Sequence, residues 1–426
     1  MWELIRANRR KSIWLIVILA VILIGMGYSI GFAIAPETRE APIAGVVIAT
    51  IIWIIMVSTS LAGGEKVLLS SAGARLVEKE DAPQLYNVVE EMTIASGLPV
   101  PPRIYIIDSP DPNAFAVGLK PERGAVAITT GLLGKLSRDE LQAVMAHEIA
   151  HINNRDTLFM TLVGVTVGAV VILAELFLRG MFFSRGGRMR GGGGRGGGQG
   201  AAFMVVLAII FAILAPILAR IMYFACSRRR EYLADACAAQ YTRYPAGLAS
   251  ALDKISSQAS SGPSSKTASK VLAPMYIVNP MAARGRKAGL FSTHPSTEDR
   301  IRVLRGMTNA SLAAYEEAYR STHKDRGVFT ASSLRGIEPE TIREPEKDEI
   351  ENPSRQWRDV QDLLHKVDKY AMMACMCGMK IKIPPDFEGS DVDCPKCGKQ
   401  HEVQPELFAA IGALGGAGRK NRKQET

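Results

Sequence analysis

Six residues, Ala146-His147-Glu148-Ile149-Ala150-His151, carry the densest chemistry in the chain: the pattern H-E-x-x-H inside an apolar-periodic stretch. Side chains four apart share one face of a helix, so His147 and His151 are spaced to hold a single zinc ion. Glu148, one position along, can reach a metal-activated water without being a ligand. Zinc lowers the pKa of water, and a carboxylate that accepts the released proton leaves a nucleophile suited to peptide hydrolysis near neutral pH. A structural pair of helix histidines would show the same short pattern, so further ligands must be sought. A catalytic zinc takes three protein ligands and keeps its fourth position open. Glu231 and Asp235, in Ser227-Arg228-Arg229-Arg230-Glu231-Tyr232-Leu233-Ala234-Asp235, are again four apart. One of these carboxylates can bind zinc while the other holds a ligand histidine through its second ring nitrogen. A solvated helix face on which both pair with Arg228 and Arg230 is the plainer alternative.

A second metal-type pattern lies near the C-terminus. Cys375-Met376-Cys377-Gly378 and Cys394-Pro395-Lys396-Cys397-Gly398 are two thiol pairs, each followed by glycine, with residues 379–383 alternating as a strand between them. This spacing is that of a zinc ribbon, in which four thiolates close a tetrahedral ion off from substrate so that it stabilises a small fold. A redox pair at Cys394 and Cys397 would leave Cys375 and Cys377 unexplained. Cys226 and Cys237 lack metal-spaced partners and read as buried apolar thiols.

Helices and strands must position these groups. Ser137 with Glu140 three residues later is a capping box, which predicts a helix starting after Ser137 and running through His151. Residues 114–118 and 124–130 alternate as paired strands joined by the turn Lys120-Pro121-Glu122-Arg123. Within the second of these, 125–129 is the candidate exposed edge beside the active helix, where an extended peptide would add to the sheet; its alanines and valine are equally compatible with plain sheet core. Asn113, Ala125, Ala127 and Thr129 are accordingly the candidate substrate contacts.

The 426 residues are 47 % hydrophobic and 22 % charged, which excludes a disordered chain. Clumping of the apolar residues excludes an ordinary soluble enzyme. Residues 12–35 and 42–63 carry no charged side chain and read as two spans of an N-terminal transmembrane hairpin, 1–64. Arg6, Arg9, Arg10 and Lys11 precede the first span, against Arg39 beyond it, which places the N-terminus in the cytoplasm. Apolar runs at about 157–178 and 201–226, interrupted by Glu175, Pro216 and Arg220, read as a further crossing pair. The Gly/Arg-rich linker 179–200 that joins them would then lie outside, against the positive-inside rule; runs that do not cross are the alternative. The peptidase-type domain spans 65–320 around this insertion. A linker at 321–357, a ribbon module at 358–405 and a flexible basic tail at 406–426 follow. The net charge of +9 is assigned to an anionic membrane surface, and the metal-type clustering of four of six cysteines to a reducing compartment.

Together these features resemble the HtpX-like integral membrane metallopeptidases, gluzincin relatives of the CAAX prenyl endopeptidases. The resemblance is carried by His147 to His151, by the Ser227 to Asp235 stretch, by Pro112-Asn113-Ala114-Phe115-Ala116, and by Phe291-Ser292-Thr293-His294-Pro295 followed by Arg300-Ile301. It implies an α-helical membrane protein with a mainly α (α+β) gluzincin-type metallopeptidase domain, here joined to a small β-rich ribbon. It further implies zinc on His147, His151 and Glu231, Glu148 as general base, Asp235 against a ligand rather than on the metal, and His294 near the site, binding substrate or stabilising the tetrahedral intermediate. The activity implied is that of a zinc metalloendopeptidase acting on misfolded or damaged membrane proteins, a quality-control protease of the cell membrane. Its catalytic domain and ribbon would face the cytoplasm, its partners would be protein substrates and the lipid bilayer, and nucleic acid is not expected. With the ribbon, the zinc ions number two, one catalytic and one structural. The Gly/Arg-rich loop and everything after about residue 330 lie outside the resemblance. A membrane-anchored protein- or RNA-binding protein is one competing reading, opposed by the intact Glu148. A processing peptidase of prenylated proteins is another, opposed by only four candidate spans.

Overall fold

The computed structural model describes residues 2–35, 38–118, 120–157, 228–259, 295–323, 327–329, 339–346, 353–387 and 389–403, with isolated positions between them. The expected crossing pair after residue 157, the Gly/Arg-rich linker, His294 and the basic tail fall outside these residues, apart from such isolated positions.

Helices α1 (Trp2–Ile34) and α2 (Glu40–Ser71) form an antiparallel hairpin. Glycine sets their contact: a Cβ on Gly45 would lie 2.1 Å from the Gly27 carbonyl oxygen, so the two backbones touch where a side chain would separate them. Trp14, Val21, Ile43, Ile48 and Ile55 point outward and are exposed. Among the described residues no helix is long and apolar enough to cross a membrane. The expected spans therefore rest on the sequence. The domain boundary expected at residue 64 falls inside α2. This helix continues because Glu65 pairs with Arg103 and Leu69 packs beneath the sheet with Phe115, Val117, Ala125 and Ala127.

The sheet is built from β1 (Arg75–Leu76), β2 (Arg103–Ile107), β3 (Ala114–Val117) and β4 (Ala125–Thr129), in the order β1-β2-β4-β3. β3 and β4 pair antiparallel as expected, but β2 adds to the other side of β4 in parallel register, Tyr105 opposite Ala127. β4 is thus an interior strand with both edges occupied, which corrects the expectation that Ala125, Ala127 and Thr129 form an exposed edge. Among the described residues the outer strand beside β4 is β3. A strand buried on both faces needs apolar or small residues throughout, and all five residues of β4 are buried.

One face of the sheet, through Ala114, Ala116, Val126 and Ile128, packs on α3 (Pro83–Ser96) and on α5 (Arg138–Asn153), which follows the short α4 (Thr130–Leu133). α5 begins at the predicted capping box: Glu140 N–H donates to Ser137 Oγ and Ser137 N–H to Glu140 Oε2. Against α5 lies α6, helical through 228–242, whose Ala234, Ala236, Ala238 and Ala239 are fully buried. Such small side chains let the two helix axes approach closely. α7 (Pro245–Ala259), α8 (Thr297–Arg305) and α9 (Leu312–His323) complete the core.

Within the stretch expected as a linker, 321–357, one described segment is docked on the core. Residues 339–346 strap across the start of α5: Arg343 donates to Asp139 Oδ1 (2.5 Å), Gln142 Oε1 (2.7 Å) and Thr242 O (2.9 Å), and Glu346 N–H to Asp139 Oδ2 (2.8 Å). α10 (Pro353–Val367) then buries Val360, Leu363 and Leu364, while Gln356 Nε2 donates to the carbonyls of Leu133 and Leu136. Two small antiparallel hairpins close the fold, β5 (Ala371–Ala374) with β6 (Lys380–Ile383) and β7 (Asp391–Asp393) with β8 (Gln400–Glu402).

Candidate metal centre and active site

α5 and α6 bring His147, His151 and Glu231 to one point, with a donor atom from each lying within 4.8 Å of the others. His147 Nε2 is 3.2 Å from His151 Nε2, His151 Nε2 is 3.5 Å from Glu231 Oε1, and His147 Nε2 is 3.7 Å from Glu231 Oε2. The opposite ring nitrogens face other carboxylates. His147 Nδ1 is 3.0 Å from Asp235 Oδ1, in ion-pair range although bent from hydrogen-bond alignment, and His151 Nδ1 is 3.2 Å from Asp156 Oδ2. With each Nδ1 facing a carboxylate, both Nε2 atoms are turned toward one another and toward Glu231. Arg300 also faces this point, with Nη1 3.4 Å from Glu231 Oε2 and Nη2 3.5 Å from His147 Nε2, and the donor set N, N, O beside it is one that zinc accepts.

Charge bears the same message. Glu148, Asp156, Glu231 and Asp235 are buried, against the buried guanidiniums of Arg230 and Arg300, so the formal excess is two negative charges, which a dication balances. The histidines respond to that field. Burial acts to lower His151, but the carboxylates of Asp156 and Glu231 outweigh it and push the imidazole up to about 10; His147 moves upward for the same reason, through Asp235 and Glu231. Burial raises Glu148, opposed by the two histidines, so this carboxyl holds a proton more readily than an exposed glutamate. Burial would raise Asp235 as well, but Arg300 keeps it low by donating from Nε (2.8 Å) and Nη2 (2.6 Å) to its two oxygens.

Of the two carboxylates four apart on α6, the geometry puts Glu231 at the convergence point and Asp235 behind His147. The arginine pairing expected on a solvated face is replaced: Arg230 donates to Asp156 Oδ1 at 2.6 Å, and Asp235 takes Arg300 from α8. Reading of the sequence missed Asp156 and the role of Arg300; the one available signal was an acid five positions after His151. Asn113 borders the site. Its Oδ1 accepts from Ile277 N–H (3.1 Å), and the Ile277 carbonyl accepts from Arg300 Nη1 (3.0 Å). Thr129 is internal, accepting from Asn113 N–H (2.8 Å) and capping α4, while Ala125 and Ala127 are sealed beneath the sheet.

The four C-terminal cysteines also converge. Cys375 Sγ and Cys397 Sγ lie 3.6 Å apart, as do Cys377 Sγ and Cys394 Sγ. A tetrahedron with Zn–S bonds of about 2.3 Å has S···S edges of about 3.8 Å, whereas a disulfide would need about 2.05 Å. Gly378 and Gly398 follow the pairs with φ of +82° and +70°, a conformation that lets the backbone fold back over the sulfurs. Burial acts to raise the Cys394 thiol, but the N–H groups of Cys397 and Lys396 and the neighbouring sulfurs bring it down to about 6. That favours the thiolate at neutral pH.

A fold and site of this kind define a metallopeptidase of the H-E-x-x-H type, and comparison with known proteins agrees. The chain matches the model of peptidase family M48 over residues 79–308. It is 42 % identical over 306 residues to the protein described as protease HtpX homolog from Dictyoglomus thermophilum, covering 72 % of this chain and 94 % of that one. It is 39 % identical over 310 residues to the protease HtpX homolog of Listeria monocytogenes serotype 4a, covering 72 % of this chain and all of the other. Among solved structures, the crystal structure of S. mikatae Ste24p aligns with a TM-score of 0.38 at 19 % identity, over 71 % of this chain and 67 % of that one. The chain belongs to peptidase family M48, and within it to the HtpX-like metalloproteases.

Proposed function

We propose that the protein is a membrane-embedded zinc metalloendopeptidase that hydrolyses internal bonds of misfolded or damaged membrane proteins. The observation that carries this reading is the meeting of His147 Nε2, His151 Nε2 and Glu231 beside the buried Glu148. Zinc held there would supply a Lewis acid that acidifies water and polarises the scissile carbonyl. Glu148, buried beside the cluster, takes the proton of the attacking water and passes it to the leaving amine. Asp235 orients His147, Arg300 holds Asp235, and Asn113 contacts substrate from the head of β3. His294 completes the site by binding substrate or steadying the tetrahedral oxyanion.

The spans at 12–35 and 42–63 insert this machinery in the bilayer, supported by the uncharged runs and by the outward apolar side chains of the hairpin. Because His151 and Glu231 meet at one cluster, the stretch between them crosses an even number of times. Two crossings satisfy the backbone of both apolar runs within helices. The basic flank of the first span places the catalytic domain and the ribbon in the cytoplasm. Cys375, Cys377, Cys394 and Cys397 hold a second, structural zinc, as their S···S spacing supports.

Purified full-length protein should cleave an unfolded membrane protein, stop when zinc is chelated, and resume when zinc is returned. Glu148→Gln should keep zinc and lose about 10²- to 10⁴-fold in rate. Undiminished cleavage by that variant would remove Glu148 from the reaction.

A further inference from the structure

We infer that Asp156, clamped by Arg230, is a positioning residue of the metal centre: it fixes the tautomer and orientation of His151 from the seam at which residues 157 and 228 return to the same place. The inference rests on the zinc reading proposed above and adds a second supporting pair to it.

His151 turns Nε2 toward His147 and Glu231, and its Nδ1 lies 3.2 Å from Asp156 Oδ2. A proton on Nδ1, given to that carboxylate, leaves the Nε2 lone pair free to ligate; the other tautomer would aim an N–H at the metal position. One hydrogen bond alone lets a carboxylate swivel. Here the remaining oxygen, Oδ1, takes the Arg230 guanidinium at 2.6 Å, with side-chain exposures of 1 % for Asp156 and 3 % for Arg230. The two partners are buried together, so the arginine supplies charge balance as well as direction.

The arrangement repeats what surrounds the other ligand. His147 has Asp235, and Asp235 has Arg300; His151 has Asp156, and Asp156 has Arg230. Arg230 directly precedes Glu231 on α6, and neighbouring residues on a helix point about 100° apart. One register of α6 therefore delivers a ligand to the cluster and a clamp to the carboxylate behind a second ligand. Thr157, next to Asp156, donates to the Gly118 carbonyl (2.5 Å) and holds the seam against the sheet.

The test uses the full chain in detergent with cobalt(II) in place of zinc. A His/His/Glu site then shows weak visible d–d absorption, and a four-thiolate site adds strong sulfur-to-metal bands, so the two are read separately. Asp156→Asn should weaken cobalt at the His/Glu site by about 10- to 100-fold in chelator competition, leaving the thiolate bands unchanged. Arg230→Gln should shift affinity in the same direction, and Arg230→Lys should recover part of it. These affinities are measured well below each melting temperature, so a role confined to holding the fold would lower melting without moving them. Should Asp156→Asn fail to fold, the Arg230 variants decide. Wild-type-like affinity, within about two-fold, in the folded variants overturns the inference while leaving the zinc reading intact. A wild type with no d–d absorption outside the thiolate site removes both.

Discussion

Replacing Arg343 by alanine tests whether the strap over α5 stabilises the peptidase core. The guanidinium reaches Asp139, Gln142 and the Thr242 carbonyl at 2.5 to 2.9 Å and lies over the Tyr244 ring at 5.1 Å. Removing one partner of a fully buried ion pair costs about 3–5 kcal/mol. Two facts reduce that here: the arginine side chain is 25 % exposed, and Asp139 keeps the Glu346 N–H at 2.8 Å. About 2–3 kcal/mol remains. At about 2–4 °C per kcal/mol for a domain of this size, the melting temperature should fall by roughly 4–12 °C. Thermal unfolding of the full chain in detergent, followed by circular dichroism, measures the fall, and a double-mutant cycle with Asp139→Asn isolates the pair. Asp139 precedes His147 by eight positions, about 12 Å along α5, so zinc content should not change. A destabilisation below about 0.5 kcal/mol, the range of an ordinary surface change, would show that the strap is docked without supporting the core.

Glu231→Ala should lose the catalytic zinc outright, whereas Asp235→Asn, which keeps a hydrogen-bond acceptor near Arg300, should weaken it by only about 10- to 100-fold; metal analysis separates them, and equal retention would mean that another group is the third ligand. Cys375→Ser should lower zinc content from two per chain to one, and stoichiometry unchanged at two would end the ribbon assignment. Gly45→Ala should lower stability by about 1–3 kcal/mol, because its Cβ meets the Gly27 carbonyl at 2.1 Å, while Gly63→Ala, with nothing within 4 Å, serves as the neutral comparison. Equal melting of the two glycine variants would contradict the hairpin packing.

The parts of the site legible in the sequence were those written within one helix. Four-residue spacing put His147 and His151 on one face, and Ser137 with Glu140 marked where that helix begins. Choosing between Glu231 and Asp235 needed the register of α6 against α5, which spacing alone does not contain. The partners Asp156 with Arg230 and Asp235 with Arg300 lie 74 and 65 positions apart, and no periodicity connects such residues. The sheet failed for a related reason. Alternation identified β3 and β4 as strands, but alternation says nothing about neighbours, and β2 inserted itself on the side taken to be free. At 339–346, charge and proline read as linker because a strap held by contacts to residues distant in sequence leaves no pattern in composition.

The cluster draws on residues that leave the ribosome at very different times. His147 and Arg300 are separated by 153 positions, and Glu231 lies between them. At about 5–20 residues per second, roughly 8–30 s pass between the emergence of the first histidine and of the arginine that secures Asp235. Through that interval the nascent chain carries half of a cutting edge and no means to close it. The N-terminal hairpin has already emerged by then, so its two long helices come out before the cluster can be completed.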